Sequence, residues 1–506
     1  MFTILLLYPF STSQDPAAGR WYPAEPLGLM YLASYLIRAA RRDGLDICVR
    51  ILDCQLEGPD VRTKTERGYR NGLTDKDICE YLRSLRPDII GIANNYSFGL
   101  NDAMDLARLA RVTVPTARII MGGAHATLDH NNLAQDSAVD FVVRGEGEET
   151  FRELVYALLQ GQDVQGICGL SYRSPAGGVT VTPNRSLIQN LDEIPIPDRS
   201  LIKFQDYLKH PNYFHTMQAP VATAFTSRGC PFHCIFCSTQ KTWGNRWRGR
   251  SAENMLKEVE YLKEQFGVRE IAFQDDQFLG DRQRIIEFCK LVVQRNLEMT
   301  FIVPPGNSPA FMNDELLKWM GRAGFYRLCF SVDVGTESAV KFAKKPVNLS
   351  KVRHLVRRAN QNGIWTYGTF VIGFPFEKRE DIWETVRYAY SLKLDFVRFY
   401  IAQPHFGSDL YDLYLKQGKL SGIKVNEQHD AMDSFFGTDF LSAAELIALR
   451  NEAECGYVGH HWKNFLNPMY LFSEFFPKIA SWRRWRYFIG LVKSFSAVTV
   501  RFVKKI

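Results

Sequence analysis

Cys230, Cys234 and Cys237 stand in the segment TSRGCPFHCIFCS, with three and then two residues between them. An iron–sulfur cube uses four protein ligands, usually cysteine thiolates. Three thiolates on one short loop therefore supply one ligand too few, so one iron is left open to an exchangeable ligand. The spacing predicts a cluster whose open iron takes part in the chemistry.

Zinc is the alternative metal, because Cys₃His is one of its ligand sets and His233 lies in the same segment. However, His233 stands between two of the cysteines, where one short loop can hardly direct all four groups tetrahedrally. Most other cysteines are expected to be apolar core residues, since lone cysteines are mostly buried. They are Cys48, Cys79, Cys168, Cys289, Cys329 and Cys455.

A strand precedes the cysteine loop. Residues 221–225 predict a buried strand, and Arg228, Gly229 and Pro231 predict a turn at its carboxyl end. A C-x3-C-x2-C loop after a strand resembles the signature of the radical S-adenosylmethionine (radical SAM) enzymes. The resemblance implies that the three cysteines bind a [4Fe–4S] cluster and that S-adenosylmethionine (SAM) chelates the open iron. It also implies that reduction cleaves SAM to a 5′-deoxyadenosyl radical.

Length and composition limit the class of protein. The chain has 506 residues, 46% of them hydrophobic, and ten cysteines. This length suits about three domains, and a labile cluster requires a reducing compartment, so we expect a cytoplasmic protein. The opening MFTILLLYPF lacks a basic region and a cleavage site, which predicts a buried first strand rather than a signal peptide. No run approaches the roughly 20 apolar residues of a membrane-spanning helix.

Residues 1–165 alternate strand and helix patterns, which predicts a parallel sheet with helices on both faces. Five strands of this size fit the flavodoxin-like, doubly wound α/β fold, whose ligand lies at the carboxyl ends of the strands. The predicted strands are 3–7, 48–52, 89–93, 118–121 and 141–143, and the predicted helices are 27–40, 75–84, 101–112 and 125–135.

The loops at those strand ends are rich in glycine, which lets a backbone approach a ligand closely. Taken singly, each glycine pair is also compatible with ordinary turn chemistry. Together, the stretches PLGL, GGxH and RGEGE resemble the cobalamin-binding domain that precedes the radical SAM core in one large subclass. The resemblance implies cobalamin contacts from Gly28, Ser97, Gly122, Gly123, Gly145 and Glu146.

One position departs from that resemblance. Many cobalamin-binding domains carry D-x-H-x-x-G after the second strand, and the histidine replaces the cofactor's own base on cobalt. Here Asp53 and Gly58 are present, but Gln55 stands where the histidine would be. Because an amide is a poor cobalt ligand beside imidazole, we expect no protein histidine on the lower face of the cofactor.

A polar stretch rich in proline and glycine at 166–215 predicts a hairpin and an extended linker. Residues 216–420 then resume the alternation with six strand–helix units, fewer than the eight of a closed TIM barrel. We therefore expect an open, partial (β/α)6 barrel, which the resemblance also implies. The predicted strands are 221–225, 270–274, 299–303, 327–331, 366–372 and 396–401, and the predicted helices are 252–265, 282–295, 314–321, 349–361 and 379–392.

Polar residues and glycines follow the barrel strands, at the edge that forms the catalytic face of such barrels. Two adjacent carboxylates after the second strand are not needed as a helix cap, because Asp281 supplies it. A G-x-E-S stretch after the fourth strand is similar to one in radical SAM enzymes, and a glycine after the fifth strand lets the backbone approach the adenine. These features predict SAM contacts from Asp275, Asp276, Ser331, Glu337 and Gly373.

Residues 421–506 predict a helical region, with a capping box at Ser442 and many aromatic residues after it. The resemblance implies that this region helps to close the substrate side. After Glu474 the chain has eight Lys and Arg and no acidic residue. We favour a helix packed on the barrel with its basic face in solvent. Contact with an anionic membrane surface and binding of a phosphorylated or carrier-bound substrate are the alternatives.

The resemblance as a whole implies a cobalamin-dependent radical SAM enzyme that methylates an unactivated position of a small molecule. An external electron donor of the flavodoxin or ferredoxin type would reduce the cluster, and no nucleic acid partner is expected. A cyclase or rearrangement enzyme with the same cofactors is the main alternative. RNA methylthiolation would need a second cluster and an RNA-binding barrel, and a non-catalytic corrinoid sensor would need no SAM site. No motif identifies the substrate.

Overall fold

The structure is a computed structural model, and it describes residues 1–13, 24–58, 61–174, 176–209, 216–421 and 435–503. It divides into two compact units. Unit 1 contains Met1–Asn212, Cys237–Gly244 and Pro404–Asp430, and unit 2 contains Tyr213–Phe236, Asn245–Gln403 and Ala431–Ile506. Lys504 and Lys505 of the predicted basic tail lie outside the described residues, as do positions 210–215 of the predicted linker.

Unit 1 is built on the doubly wound sheet that the alternation predicts. Its strands are β1 (Phe2–Tyr8), β2 (Ser11–Ser13), β3 (Ile47–Asp53), β4 (Arg62–Thr65), β5 (Gly68–Asn71), β6 (Ile89–Ala93), β7 (Arg118–Gly122), β8 (Phe141–Val143), β9 (Leu170–Arg173) and β10 (Val179–Val181). In the described part of unit 1 the main sheet has the order β10-β9-β8-β7-β6-β1-β3. The five parallel strands follow the chain order 2-1-3-4-5 across the sheet, which is the flavodoxin-like order.

The continuous apolar run of β1 serves both faces of this sheet. Successive side chains of a strand point to opposite faces, and Leu5 and Leu7 lie in one core cluster whereas Ile4 and Leu6 lie in the other. Helices cover both faces because each cluster needs an apolar partner layer. The helices of unit 1 in its first segment are α1 (Leu27–Asp43), α2 (Asp75–Leu85), α3 (Leu100–Thr113), α4 (Ala124–Leu128), α5 (His130–Gln135), α6 (Gly147–Gln160) and α7 (Phe204–Lys209).

Three local features differ from the sequence-based expectation. The single helix predicted at 125–135 is divided at Asp129 into α4 and α5. The small antiparallel sheet β2-β5-β4 was not predicted, because strands such as β4 (RTKT) are polar and lack apolar alternation. The hairpin predicted in the linker is present as β9–β10, and β9 pairs antiparallel with β8 and so extends the sheet of unit 1.

Unit 2 contains the open parallel barrel. Its strands are β11 (Val221–Ala224), β12 (Ser227–Arg228), β13 (Arg248–Gly249), β14 (Glu270–Phe273), β15 (Thr300–Asn307), β16 (Phe325–Asp333), β17 (Trp365–Ile372) and β18 (Phe396–Ile401). Over the described ranges of unit 2, six strands pair in parallel in the order β11-β14-β15-β16-β17-β18. This arrangement confirms the predicted partial (β/α)6 barrel.

The barrel helices follow their strands as the sequence predicts. The remaining helices along the chain are α8 (Thr239–Trp243, in unit 1), α9 (Ala252–Phe266), α10 (Arg282–Gln294), α11 (Asp314–Ala323), α12 (Glu337–Ala343), α13 (Leu349–Gln361), α14 (Arg379–Ser391), α15 (Asp409–Lys416, in unit 1), α16 (Ala443–Trp462), α17 (Pro468–Tyr470), α18 (Phe476–Ile479) and α19 (Trp482–Val503). A π-helical turn, Leu471–Phe475, joins α17 to α18.

The carboxyl-terminal helices of unit 2 run from one end of the barrel to the other. Leu446 of α16 lies beside Gly373, just after the carboxyl end of β17. Tyr457, one turn from the end of α16, donates a hydrogen bond to the carbonyl of Leu394, which precedes β18. The segments after α16 pack on the starts of the strands, where Tyr487 contacts Trp365. These later segments therefore cover the amino-terminal end of the barrel, whereas the start of α16 lies at the carboxyl end of β17.

None of the described helices combines the length and the apolar composition that a membrane-spanning helix needs.

Candidate active site

The cysteine loop lies between β12 and β13, which pair with each other and so bring its two ends together. Cys230 and Cys234 belong to unit 2, and Cys237 begins the short segment assigned to unit 1. All three are partly exposed, and none of them is in a disulfide. Of the cysteines predicted as core residues, Cys289 and Cys329 are buried, whereas Cys455 is exposed, contrary to the prediction. Three thiolates on one loop can supply three of the four ligands of an iron–sulfur cube. Among the described residues no three His, Cys, Asp or Glu side chains are grouped as a metal site, so the cluster ligands stay a prediction from spacing.

Asp275 holds the beginning of the cysteine loop in place. Its Oδ1 accepts hydrogen bonds from the Thr226 N–H at 3.0 Å, the Thr226 hydroxyl at 2.8 Å and the Ser227 hydroxyl. Burial raises the pKa of the Asp275 carboxyl, and the nearby Arg284 guanidinium and these hydrogen bonds oppose the rise. Arg284 also donates to the Thr226 carbonyl at 3.0 Å. One predicted SAM contact is thus a group that ties the end of β14 to the loop.

Asp276 differs from its neighbour because its side chain is exposed to solvent. Protein nevertheless surrounds it closely enough that burial raises its pKa to about 6, and the Asp275 charge adds to the rise. The Asp276 side chain is thus accessible from solvent, although other groups surround its carboxyl. Of the two adjacent carboxylates, Asp276 is the one that a ligand ammonium can reach.

A buried cation, which the sequence did not reveal, lies beside the cysteine loop. The Lys345 ammonium forms an ion pair with Asp333 and donates to the Ser331 hydroxyl at 3.2 Å. Burial alone lowers the pKa of Lys345, but Asp333 and then the Cys234 and Cys230 sulfurs outweigh it, so the pKa is raised. The ammonium therefore stays charged next to two of the predicted cluster ligands.

Backbone geometry supports the same cluster of charges. Asp333 has a φ of 61°, in the left-handed region that costs a non-glycine residue about 1–2 kcal/mol. Its other carboxylate oxygen accepts from the Thr369 hydroxyl at 2.8 Å, which fixes it between β16 and β17. The Ile235 N–H, inside the cysteine loop, donates to the Ala343 carbonyl at 3.1 Å, two residues before Lys345. The cation and the cysteine loop are thus held to the same helix end.

The other two predicted SAM residues of this region occupy different positions. Glu337 is exposed in the first turn of α12, where its charge also suits the helix dipole. Gly373 has a φ of 83°, and a Cβ there would lie 2.9 Å from Leu446 Cδ1. The structure thus requires glycine at 373 for a positive φ and for packing against α16.

Glu377 shapes the loop after β17 and was not predicted. One of its oxygens accepts from the N–H groups of Gly373 at 2.7 Å and Phe374 at 2.9 Å. Burial raises its pKa to about 7, and its other oxygen has no hydrogen-bond partner within the described residues. The stretch GFPFE carries the signal, because a carboxylate four residues after a glycine at a strand end can fold back onto that turn.

In unit 1, hydrogen bonds join three of the predicted cobalamin loops. The Ser97 hydroxyl, after β6, lies 3.0 Å from His125 Nδ1, after β7. The Thr127 hydroxyl donates to the Gly123 carbonyl at 2.8 Å and accepts from the Gly145 N–H, after β8, at 2.9 Å. The loops that follow three adjacent parallel strands therefore form one connected edge.

The connected edge fits a ligand with polar groups. A Cβ at Gly123 would lie 2.6 Å from the Asn94 carbonyl oxygen and 2.5 Å from Asn95 Oδ1, and its φ is 120°. Asn94 Oδ1 and His125 Nε2 are both buried and without a hydrogen-bond partner in the described part of the chain. Buried polar atoms normally have partners, so these two atoms are suited to groups of a bound molecule.

His125 is a functional candidate that the sequence contained but that was not assigned. It is the histidine of the GGxH stretch, and burial lowers its pKa to about 4, which keeps the ring neutral at pH 7. Its ring packs on Phe406 with centroids 5.6 Å apart. A neutral imidazole with one nitrogen bonded to Ser97 offers the other nitrogen to a ligand.

The remaining cobalamin candidates are placed less uniformly. Gly28, in the first turn of α1, and Gly145 have no atom within 4 Å of an added Cβ, so both border open space. Gly122 is the last residue of β7. Glu146 is buried, and its carboxylate accepts from the Ile188 N–H at 2.7 Å. Its role in this structure is to hold the chain that follows the hairpin.

The Gln55 side chain is hydrogen-bonded within the protein and is not placed as a metal ligand. Its side-chain amide donates to the Pro9 carbonyl at 3.0 Å, after β1. Asp53 accepts from the Gln55 N–H at 2.8 Å and from the Tyr207 hydroxyl at 2.6 Å, and burial raises its pKa to about 6. The aspartate of the motif therefore folds the loop, and the glutamine fastens it to the neighbouring strand end.

An open cavity of 740 Å³ in unit 1 is not part of this edge. It is lined by residues such as Phe2, Asp88 and Arg118, which lie at or next to the amino-terminal ends of strands. Ligands of open α/β sheets bind at the carboxyl ends. We therefore assign the cofactor site to the connected loops and not to this cavity.

Two family models match the chain. Residues 225–389 match the radical SAM superfamily, and residues 18–155 match the B12 binding domain. The first range contains the cysteine loop and most of the partial barrel, and the second contains the connected loops of unit 1.

Relatives and solved structures agree with these matches. The chain is 33% identical over 478 residues to an uncharacterized methyltransferase of Pyrococcus horikoshii, covering 94% of this chain and 95% of the relative. It is 29% identical over 425 residues to cytidylyl-2-hydroxyethylphosphonate methyltransferase of Streptomyces wedmorensis, covering 78% of each. The fold is similar to that of TsrM, a radical SAM methyltransferase of Kitasatospora setae solved with cobalamin and a [4Fe–4S] cluster. That similarity has a TM-score of 0.69 at 16% identity and covers 94% of this chain and 90% of TsrM.

The relationship to the P. horikoshii protein spans both matched domains and nearly the whole of both chains. The chain belongs to the cobalamin-dependent radical SAM enzymes, whose cofactors are a [4Fe–4S] cluster, SAM and cobalamin.

Proposed function

We propose that this enzyme transfers a methyl group to an unactivated carbon of a small-molecule substrate. One observation carries the proposal: the relative at 33% identity, matched along 94% of this chain, is described as a methyltransferase. In both α/β units, the loops with candidate ligand-binding residues follow the carboxyl ends of the parallel strands. When bound, the cluster and SAM supply a carbon-centred radical and cobalamin supplies a methyl group.

We assign three tasks to residues of the cysteine loop and of the partial barrel. Cys230, Cys234 and Cys237 hold the cluster by three thiolates. Asp276 binds the ammonium of SAM, because it is the accessible carboxylate at the end of β14. Lys345 keeps a positive charge beside the cysteine loop, which stabilises thiolate over thiol at Cys230 and Cys234.

Aromatic side chains pack beside the loop that carries the cysteines and would shield a bound cluster from water. Phe232 packs on Phe311 with ring centroids 5.0 Å apart, and Phe236 packs on Phe374 at 6.3 Å. Phe342 contacts Phe374 at 5.4 Å. Exclusion of water protects a radical from side reactions and strengthens the electrostatic contacts around it. These rings therefore support radical chemistry at the cysteine loop.

In unit 1, the connected loops serve cobalamin. We assign the close backbone approach to Gly123 and polar contacts to Asn94 and His125, in addition to the predicted Ser97 and Gly145. Gln55 would not serve as a cobalt ligand, since its side-chain amide donates to the Pro9 carbonyl.

Two further partners are part of the proposal. A one-electron donor of the flavodoxin or ferredoxin type reduces the cluster, because cleavage of SAM consumes an electron. A membrane surface contacts the basic carboxyl-terminal segment.

Isotope transfer tests methyl transfer without knowledge of the substrate. The reconstituted enzyme, a reductant and a small-molecule extract are incubated anaerobically with SAM or with SAM deuterated in its methyl group. We expect a product that gains one CH₂ relative to its precursor and carries the deuterium label. A product that forms without label, at unchanged or reduced mass, would instead assign the enzyme to cyclisation or rearrangement.

A further inference from the structure

The helix α19 carries apolar side chains on two faces, and one of them packs on the barrel. Tyr487 and Leu491, four residues apart, are buried. Tyr487 meets the ring of Tyr326 with centroids 5.0 Å apart, and Phe488 stacks on Trp365 at 6.0 Å. This packing satisfies the expectation that the tail forms a helix on the barrel, and it fixes which face is left outward.

The outward face is also apolar, although it is in contact with solvent. Trp482, Trp485 and Val492 are 73%, 43% and 44% exposed, and their spacing puts them on one side of a helix. The rings of Trp482 and Trp485 stack at 5.8 Å. Arg483 and Arg486, which border this side, are exposed as well. A helix face that only contacts solvent needs no exposed tryptophan, whereas this face carries two.

The segment before α19 is also rich in exposed apolar side chains. Of the 18 large hydrophobic side chains exposed in the described residues, nine fall between positions 458 and 492. They are Val458, Trp462, Leu466, Met469, Phe472, Phe476, Trp482, Trp485 and Val492. Two pairs among them are in ring contact, Phe472 with Phe476 at 5.2 Å and Trp482 with Trp485 at 5.8 Å, and contiguous exposed apolar residues mark interaction surfaces. The last acidic residue, Glu474, is itself buried.

The charge of this surface identifies what it meets. Tryptophan and arginine around a helix that lies flat are the composition of membrane-interface helices. Lys and Arg side chains near an anionic bilayer are attracted by its negative surface potential. A second copy of the chain would bring Arg483 and Arg486 against their own equivalents, so like charges oppose that arrangement.

Position in the barrel separates this surface from the docking site of an electron donor. The helix α19 packs against the starts of β16 and β17. The cysteine loop instead follows the carboxyl end of β11. The nine-residue β16 spans about 30 Å at about 3.3 Å per residue. A donor bound at α19 would therefore sit at the wrong end of the barrel for the cluster.

We infer that the outward face of α19, with the exposed aromatic residues before it, binds the surface of an anionic membrane. The helix lies in the interface and does not cross the bilayer. Because α19 covers the amino-terminal end of the partial barrel, the carboxyl ends of its strands face away from the lipid. The substrate accordingly enters unit 2 from the aqueous side. The inference rests on the proposed membrane partner and not on the reaction, so vesicle binding and methyl transfer can fail separately.

Vesicle flotation with the full chain tests this inference. The probes are vesicles of phosphatidylcholine alone and of phosphatidylcholine with phosphatidylserine. We expect binding to the mixed vesicles that weakens as salt is raised, and little binding to phosphatidylcholine. The double variant Trp482→Gln/Trp485→Gln should bind at least tenfold more weakly, since ten-fold corresponds to only about 1.4 kcal/mol. Arg483→Gln/Arg486→Gln should lose binding mainly to the anionic vesicles.

Val112→Ser is the matched control, because Val112 is 81% exposed but lies in unit 1. It should bind vesicles as the unaltered chain does. Equal binding by the tryptophan variant, or no binding of the unaltered chain to anionic vesicles, overturns the inference. A concentration-dependent dimer that the tryptophan variant abolishes would assign this face to a second copy instead.

Discussion

Adjacent acidic residues take different roles here because their surroundings differ. Asp275 points into the protein and accepts three hydrogen bonds from residues 226 and 227, whereas Asp276 is exposed to solvent. The sequence shows two equal carboxylates and cannot separate them. The carboxylate that is buried is the one that accepts hydrogen bonds from the beginning of the cysteine loop, and this contact exists only in the folded chain.

Asp276→Asn should weaken SAM binding without affecting folding. The variant loses a charge-assisted hydrogen bond of about 1.5–3 kcal/mol, so the Kd for SAM should rise about 10- to 100-fold. Asp275→Ala should instead lower the melting temperature, because it leaves buried donors unpaired. Equilibrium dialysis and thermal unfolding distinguish the two, and the exposed Glu287→Gln is the control. Equal SAM affinity in Asp276→Asn would remove this residue from the site.

SAM affinity should also depend on pH through the same carboxylate. The pKa of Asp276 is raised to about 6, so its negative charge is present above that pH and is lost as the pH falls through it. We expect the Kd for SAM to rise between pH 7 and pH 5 in the unaltered chain and to change much less in Asp276→Asn. Identical pH profiles for the two proteins would contradict the assignment.

Lys345→Met should shift the cluster to a more negative reduction potential. Removal of a buried positive charge beside Cys230 and Cys234 makes addition of an electron less favourable. A redox titration followed by electron paramagnetic resonance measures the midpoint. Lys345→Arg keeps the charge, so its midpoint should stay close to that of the unaltered chain. Lys344→Met, which changes an exposed residue one position away, should not shift the midpoint. An unchanged midpoint in Lys345→Met would show that the ammonium does not act on the cluster.

Some candidate functional residues could not be predicted from the sequence, for a physical reason. Lys345 is 12 residues from Asp333 and far along the chain from the cysteines, so only folding joins them. His125 stood in a recognised stretch, but its contact with Ser97 depends on the pairing of β6 with β7. The cysteines themselves were evident, because their spacing within one loop is a local property.

At the scale of elements, hydrophobic runs predicted both parallel sheets. Buried parallel strands read as continuous apolar segments, and the run in β1 is such a segment, with alternate residues in two core clusters. The polar sheet β2-β5-β4 and the division of α4 from α5 were missed because no apolar period marks them. The loops at the strand ends were predicted as a set, and their hydrogen bonds to one another became visible only in the structure.

Two glycines of these loops should respond differently to alanine. At Gly123 an added Cβ meets backbone and side-chain oxygens within 2.6 Å, whereas at Gly145 it meets nothing within 4 Å. Gly123→Ala should therefore lose stability and cobalamin binding together. Gly145→Ala should cost only the left-handed strain, about 1–2 kcal/mol. Thermal unfolding and absorbance titration with cobalamin measure both effects. Similar losses in the two variants would mean that the close approach at Gly123 is not what shapes the loop.

At the scale of the whole molecule, one chain carries two α/β units with distinct tasks and a helical end. The sequence predicted a B12-binding domain before a radical SAM domain, because the first set of strands has glycine-rich loops and the second has the cysteine loop. The surface proposed to bind a membrane could not be predicted, since a sequence shows that the tail is basic and aromatic but not which of its faces the barrel leaves outward.

The most direct test of the account is the formation of 5′-deoxyadenosine from SAM by the reconstituted, reduced enzyme without air. The unaltered chain and Cys455→Ala, which changes an exposed cysteine outside the loop, should both form it. Cys230→Ala, Cys234→Ala and Cys237→Ala should each form none and lose the iron–sulfur absorbance. Deoxyadenosine formation by any of these three variants, or a cluster spectrum that persists when all three are changed, would contradict the account.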